Sequence, residues 1–144
     1  MISTKGRYAL RVMIDLALYG GDGYITLKDI SARQEVSVKY LEQVIALLNR
    51  SGFLRSLRGN NGGYMLAVDP GTITAGDILR AAEGSLAPIA CLRDEPNRCP
   101  RQSMCTTIDF WEGLKDTVDQ YVDGITLQDL ADQSREKYGN DYVI

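Results

Sequence analysis

The chain contains no histidine. That absence removes the commonest switchable metal ligand and the usual base beside a cysteine or serine nucleophile. No P-loop and no dinucleotide-binding glycine motif occurs either, so nothing supports catalysis and the chain reads as no enzyme. It has no apolar run long enough to cross a membrane, and Met1-Ile-Ser-Thr-Lys-Gly-Arg7 has no signal-peptide h-region. A cytoplasmic protein with no membrane partner is expected. Internal repeats and low-complexity segments are absent. Cysteine is scarce, three residues in all, and an odd number in a reducing compartment argues against a disulfide framework.

What is present is unevenly placed. The 144 residues, net charge −3, can bury one core, or one small domain with an extended arm. Residues 1–63 carry nine Lys and Arg against five Asp and Glu, whereas 64–144 carry seven against fourteen. A basic N-terminal half suits a module that meets a polyanion, and equally an ordinary solvated surface. All three cysteines, Cys91, Cys99 and Cys105, fall within fifteen residues of one polar, proline-containing stretch. Thiols gathered this way differ from buried structural cysteines, which sit singly among apolar neighbours. They suit soft ligation of iron or zinc, or redox chemistry.

Periodicity and caps predict the elements. Ala9, Leu10, Met13, Ile14, Leu16 and Ala17 make a helical stripe over Thr4–Tyr19, ended by Gly20-Gly21-Asp22-Gly23. Thr26, with Asp29 at N3, opens a helix from Leu27 to about Gln34, offering Ile30 and Ala32 to the core. Ser37 caps a third helix from Val38 to about Ser51, with Leu41, Val44, Ile45 and Leu48 on one face and Gly52 as its left-handed stop. Phe53–Leu57 and Tyr64–Val68 then read as strands around Arg58-Gly59-Asn60-Asn61-Gly62-Gly63, whose Asn-Gly and Gly-Gly steps signal a hairpin. Helix, turn, helix and hairpin in this order predict a winged helix-turn-helix, so the fold class is mainly α with a small β wing.

Further along, Thr74 with Asp77 caps a helix from Ala75 to about Ala82. The cysteine loop follows, and a long helix starts near Thr107. On it Ile108, Trp111, Leu114, Val118, Tyr121 and Val122 form an apolar stripe, opposite a charged face of Asp109, Glu112, Lys115, Asp116 and Asp119. Thr126 and Asp129 open a last helix from Leu127 to about Ser134. The expected organisation is a DNA-binding domain at 1–83, the cysteine loop at 84–106, a dimerisation helix plus short C-terminal helix at 107–134, and a tail without periodicity at 135–144. An apolar stripe must be covered. A second copy of the same helix is the expected cover, giving a homodimer with its interface on Ile108, Trp111, Leu114, Val118, Tyr121 and Val122. Two recognition helices about 34 Å apart would reach successive major grooves of double-stranded DNA.

Several segments together resemble a family of bacterial transcription regulators typified by IscR, NsrR and CymR. They are Ser3-Thr4-Lys5-Gly6-Arg7-Tyr8-Ala9-Leu10, Tyr40-Leu41-Glu42-Gln43, Arg58-Gly59 with Gly62-Gly63-Tyr64, and Ile73-Thr74-Ala75-Gly76-Asp77-Ile78. The resemblance runs to about Ala131. It implies a winged helix-turn-helix with a long dimerisation helix. Members similar to IscR and NsrR hold an iron–sulfur cluster through three cysteines in this loop, which implies Cys91, Cys99 and Cys105 as metal and cofactor ligands here. Members similar to CymR lack the triplet and act through protein partners. Two departures concern the fourth ligand. The position of the histidine of IscR is Ile108, and the position of a first-helix carboxylate used by NsrR-like members is Tyr8. Asp94, Glu95 and Asp109 are the nearby carboxylates, and either a 2Fe–2S or a 4Fe–4S centre fits three thiolates with one weak ligand.

The expected function is a homodimeric DNA-binding transcription regulator that senses iron–sulfur, redox or nitric oxide status through the cluster. The alternatives are a cluster-free thiol redox sensor, with Arg93, Arg98 and Arg101 lowering a thiol pKa, and a CymR-like regulator controlled by a protein partner. Structural zinc fits less well, because only three of its usual four Cys or His ligands exist. Ser37, Lys39, Tyr40, Glu42 and Gln43 at the start of the recognition helix are the candidate base and phosphate contacts. A carboxylate there accepts from cytosine N4 and repels phosphate, so Glu42 reads as a selectivity filter or as a solvated residue. Lys5 and Arg7 are candidate phosphate contacts. Arg58, Asn60, Asn61, Gly62 and Gly63 are the wing contacts.

Overall fold

The computed structural model describes residues 2–21 and 23–141, without the side chains of 139–141. Six helices and one hairpin follow in the order α1 (Thr4–Tyr19), α2 (Leu27–Gln34), α3 (Val38–Arg50), β1 (Leu54–Leu57), β2 (Gly63–Leu66), α4 (Ala75–Glu83), α5 (Ile108–Asp123) and α6 (Leu127–Asp141). The expected caps form. Thr26 Oγ1 accepts from Asp29 N at 3.1 Å and Ser37 Oγ from Tyr40 N at 3.2 Å. Thr74 and Asp77 make a reciprocal capping box, as do Thr126 and Asp129.

The core is the winged helix. Val12, Met13 and Leu16 of α1, Ile30 of α2, Leu41, Val44, Ile45 and Leu48 of α3, and Ile78 of α4 are buried together, joined by Leu127 of α6. Ala32 points to solvent, because on an eight-residue helix only Ile30 lies on the inward line. Between α2 and α3 the chain turns through Glu35, left-handed at φ +54. Ser31 Oγ donates to Val36 O at 2.5 Å and locks that turn.

β1 and β2 pair antiparallel from Leu54↔Leu66 to Leu57↔Gly63, and Ile25 adds an antiparallel bridge to Tyr64. Gly63 sits at φ +147, and a Cβ there would collide with the backbone of Ile25. Only glycine lets the wing pass this close.

One polar group lies inside this core. Asp15, 1% exposed, accepts from Arg33 Nε at 2.9 Å, Arg33 Nη2 at 2.8 Å and Gln34 Nε2 at 3.0 Å, fastening α2 to α1. Arg33 also stacks over the Tyr19 ring at 4.3 Å.

The C-terminal part departs from expectation. α6 continues to Asp141 instead of ending near Ser134. Its outer turns lack apolar periodicity because they are solvated, and helix is sustained by local bonds: Gln128 to Asp132, Arg135 to Asp132, and Ser134 Oγ to Leu130 O. Residues 142–144 of the expected tail lie outside the described residues. Of the charged face expected on α5, Lys115 and Asp119 face α4 and the loop. Arg80 of α4 donates to Asp119 at 2.9 Å and to Asp123 at 2.6 and 3.1 Å, and Lys115 donates to Asp119 at 2.9 Å.

Candidate nucleic-acid interface and cysteine loop

The first turn of α3 stands clear of the protein. Leu41, Val44, Ile45 and Leu48 bury one face of that helix completely or nearly so, which forces Ser37, Lys39, Glu42 and Gln43 outward. Tyr40 is half-buried, its ring edge-on to Tyr8 of α1 at 5.6 Å. That contact brings the first turns of α1 and α3 together, and Lys5 and Tyr40 line one shallow surface cavity of about 500 Å³. Lys5 and Arg7 are exposed. Arg11 lies over the Tyr8 ring at 4.7 Å, bonding Gln34 Oε1 and O at 2.9 Å each.

The wing tip presents Arg58, Asn60 and Asn61 to solvent. Two of the expected wing residues lie below the tip. Gly62 is buried, its N–H donating to Gly59 O at 3.0 Å, and Gly63 belongs to β2 against Ile25. Both serve the turn rather than an outer surface.

The loop from Gly84 to Thr107 contains two single turns of 3₁₀ helix, Ala90–Leu92 and Gln102–Met104. Leu92 is buried at one end, and Asn97 Oδ1 accepts from Cys99 N at 2.8 Å. Cys91, Cys99 and Cys105 are free thiols, each half-buried. Cys105 sits just before α5, with Sγ 3.7 Å from Thr107 Oγ1. Bonds from the Thr107 backbone, then its hydroxyl, hold the Cys105 thiol below its ordinary pKa by favouring the thiolate.

Among the described residues no three Cys, His, Asp or Glu side chains converge where one metal ion could be held. The donor types nevertheless fit an iron–sulfur group: three soft thiols on one loop, none in a disulfide. Asn97 Nδ2, two residues before Cys99, is buried with no acceptor among the described residues, a donor still lacking its partner. The loop must close for the thiols to meet.

The apolar stripe of α5 divides in two. Val122 is buried inside its own chain against Leu79 and Leu86, with Val118 packed beside it. Those two residues therefore pack within the chain, where the helix was expected to present them to a partner. Ile108 and Trp111 are half-buried, Leu114 is at the exposed margin, and Tyr121 is 70% exposed. Phe110, which the sequence stripe omitted, is 66% exposed and packs edge-on to Trp111 at 4.9 Å. Its place next to Trp111, one position off the heptad-like line, was the available signal.

Comparison with known proteins agrees with this geometry. A family model, Rrf2, described as an iron-dependent transcriptional regulator, matches residues 2–133. The HTH-type transcriptional regulator CymR of Bacillus subtilis (strain 168) is 41% identical over 95% of this chain and 96% of its own. Its solved structure, titled as the global cysteine regulator of B. subtilis, superposes with a TM-score of 0.75, covering 92% of this chain and 97% of that one. T. potens IscR also gives a TM-score of 0.75 at 39% identity, covering 95% of this chain and 90% of that one. With the fold, the order of its elements and these relatives in agreement, the chain belongs to the Rrf2 family of transcriptional regulators.

Proposed function

We propose that this regulator binds double-stranded DNA as a homodimer through residues 1–83, and that its loop at 84–106 reports iron–sulfur or redox status through Cys91, Cys99 and Cys105. The observation that carries the DNA-binding reading is the first turn of α3. It is exposed, capped by Ser37 and braced through Tyr40 on α1, as a helix entering a major groove requires. In this reading Lys39, Gln43 and Ser37 meet base edges or phosphates, Glu42 discriminates among bases, and Lys5, Arg7 and Arg58 neutralise phosphates. The second copy covers Phe110, Trp111, Leu114 and Tyr121.

Cys91, Cys99 and Cys105 would hold an iron–sulfur cluster as thiolates, with a carboxylate such as Asp94, Glu95 or Asp109 as the remaining oxygen donor. Such a group supplies a centre that responds to oxidants and nitric oxide. The chain's own part is to hold three thiolates and to translate loop order into DNA affinity. That translation requires the ordered loop to favour one of the two DNA-binding states.

A second reading, thiol sensing without a cluster, is favoured by one contact: Cys105 Sγ lies 3.7 Å from Thr107 Oγ1, and hydrogen bonding from Thr107 favours the thiolate. Anaerobic reconstitution with ferrous iron and sulfide separates the two readings. The cluster reading expects stoichiometric iron and acid-labile sulfide in the wild type, and a sharp loss with Ala at any one of the three cysteines. A wild type that takes up no iron hands the triplet to thiol chemistry. DNA binding is tested by anisotropy on a selected and a random duplex. Arg58→Ala should cost about 1–3 kcal/mol on the selected site if it reads a base edge, or flatten the salt slope if it meets phosphate.

A further inference from the structure

Among the described residues a direct polar joint links the end of α4, where the cysteine loop begins, to the start of α1. Glu83 is the last residue of α4, and Gly84 after it, at φ +81, opens the loop. The Glu83 carboxylate reaches across to the start of α1, where a single oxygen, Oε1, accepts from Ser3 N at 2.6 Å and from Ser3 Oγ at 2.7 Å. Ser3 is the N-cap of α1, yet its hydroxyl makes no cap bond within that helix. It is committed to Glu83 instead. Eighty residues of chain separate the two partners.

The surroundings are shaped for this contact. Gly6 is buried under the carboxylate, and a Cβ at that position would collide with Glu83 Oε1. Electrostatics pull the same way. An acidic residue at the C-terminal end of α4 faces that helix's own negative pole, whereas at the N-terminus of α1 it meets the positive pole and unpaired N–H groups. The carboxylate is therefore held by α1 rather than by the helix that carries it. Three residues after Glu83, Leu86 is buried against Leu79 and Val122, so the first residues of the loop pack on α4 and α5.

We infer that the Glu83–Ser3 pair is the joint through which the state of the cysteine loop sets DNA affinity. The inference rests on the proposed reading of the loop and names the contact by which it acts. A rearrangement that pulls on Gly84–Leu86 acts first on Glu83, then on the first turn of α1. That turn carries Lys5 and Arg7, and its Tyr8 packs on Tyr40 of the recognition helix. The pair is made in one loop state and loosened in the other, which gives the two states different phosphate-facing surfaces.

The test compares the DNA dissociation constant of the full chain in two loop states, thiol-reduced and reconstituted anaerobically with ferrous iron and sulfide. Trp111, the single tryptophan, lies on α5 just after the loop, and its quenching reports whether the loop has been loaded. In the wild type the two states should differ in affinity by about 5- to 150-fold, the usual range of coupling between sites. Glu83→Ala should bring that ratio to within about twofold while the Trp111 response persists. Glu83→Gln, which keeps an acceptor oxygen, should hold an intermediate ratio, and so should Ser3→Ala, which is exposed and keeps the backbone donor. An undiminished ratio in Glu83→Ala and Ser3→Ala overturns the joint and leaves the loop reading intact. Equal affinities of the two wild-type states overturn both.

Discussion

The buried Asp15–Arg33 pair yields an asymmetric prediction. The Asp15 side chain is fully buried, whereas Arg33 is about a third exposed, at 32%. Asp15→Ala removes three charge-assisted hydrogen bonds, two from Arg33 and one from Gln34. At about 1.5 kcal/mol each for bonds to a charged group, the gross loss is roughly 4–5 kcal/mol. Arg33 can then turn to water, which returns about half of it, so the net cost is about 2–3 kcal/mol. Arg33→Ala leaves the carboxylate sealed in the core with Gln34 as its remaining partner, and that should cost about 3–5 kcal/mol. The more exposed residue is thus the more expensive one to remove. Urea unfolding at fixed protein concentration, with unchanged m-values, measures both. In thermal melts the Asp15→Ala change should appear as a fall of roughly 6–9 °C, at about 3 °C per kcal/mol for a chain of this size. Because α2 is the first helix of the helix-turn-helix, DNA affinity should fall with stability in both variants. A cost for Asp15→Ala exceeding that for Arg33→Ala, or both within about 0.5 kcal/mol of wild type, refutes the reasoning, since ordinary surface changes are of that size.

Cys105, held toward thiolate by Thr107, should be alkylated by iodoacetamide at neutral pH ahead of Cys91 and Cys99, and Thr107→Val should slow it; mass spectrometry showing three equal rates would contradict the assignment. Asp119 is pushed up by burial, but bonds from Lys115 and Arg80 outweigh this and hold it below the usual carboxylate range. Its stabilising contribution is therefore complete above the unfolded value near pH ~4 and is lost as pH falls through the folded value, so unfolding midpoints from pH 6 to 3 should drop more steeply for wild type than for Asp119→Asn. Trp111→Asp should place a charge in the proposed helix-to-helix interface and dissociate or unfold the dimer; a wild type that sediments as a monomer at micromolar concentration removes the dimer altogether.

Much of the winged helix is legible in the sequence because its signals are local. Thr26, Ser37 and Thr74 cap helices that start where the hydroxyls say, and Gly52 stops α3 at φ +81. What escaped is non-local. Asp15 reads as one more charge until Arg33, 18 residues on, is seen to meet it, although a carboxylate between Met13 and Leu16 on an apolar face was a usable sign. Glu83 gives no local sign of its bond to Ser3. The same limit explains α5, where a helical wheel separates apolar from charged but does not know that α4 brings Arg80 to Asp119 and Asp123. Gly62 and Gly63 were legible as turn residues, but not the burial of Gly62 or the packing of Gly63 on Ile25, since the hairpin code fixes φ and is silent about what Ile25 packs against. The cysteine loop has no period at all, so spacing fixes the chemistry of its donors and leaves their convergence open.

The charges around α5 show why the loop can move while the rest stays in place. Arg80 ties α4 to α5 with three short bonds to Asp119 and Asp123, and its guanidinium is held well above its usual pKa by those carboxylates, Asp123 foremost. Lys115 shares Asp119 at 2.9 Å and makes an ion pair with Glu95 of the loop at 3.7 Å, the Glu95 side chain being 86% exposed. An ion pair that long and that solvated contributes close to nothing and is broken at little cost. The ion pair between the loop middle and α5 is therefore weak, while Leu86 and Leu92, on the N-terminal side of the cysteines Cys99 and Cys105, are buried. A segment held in this way can close around a group at its thiols without dragging α5 out of register with α4.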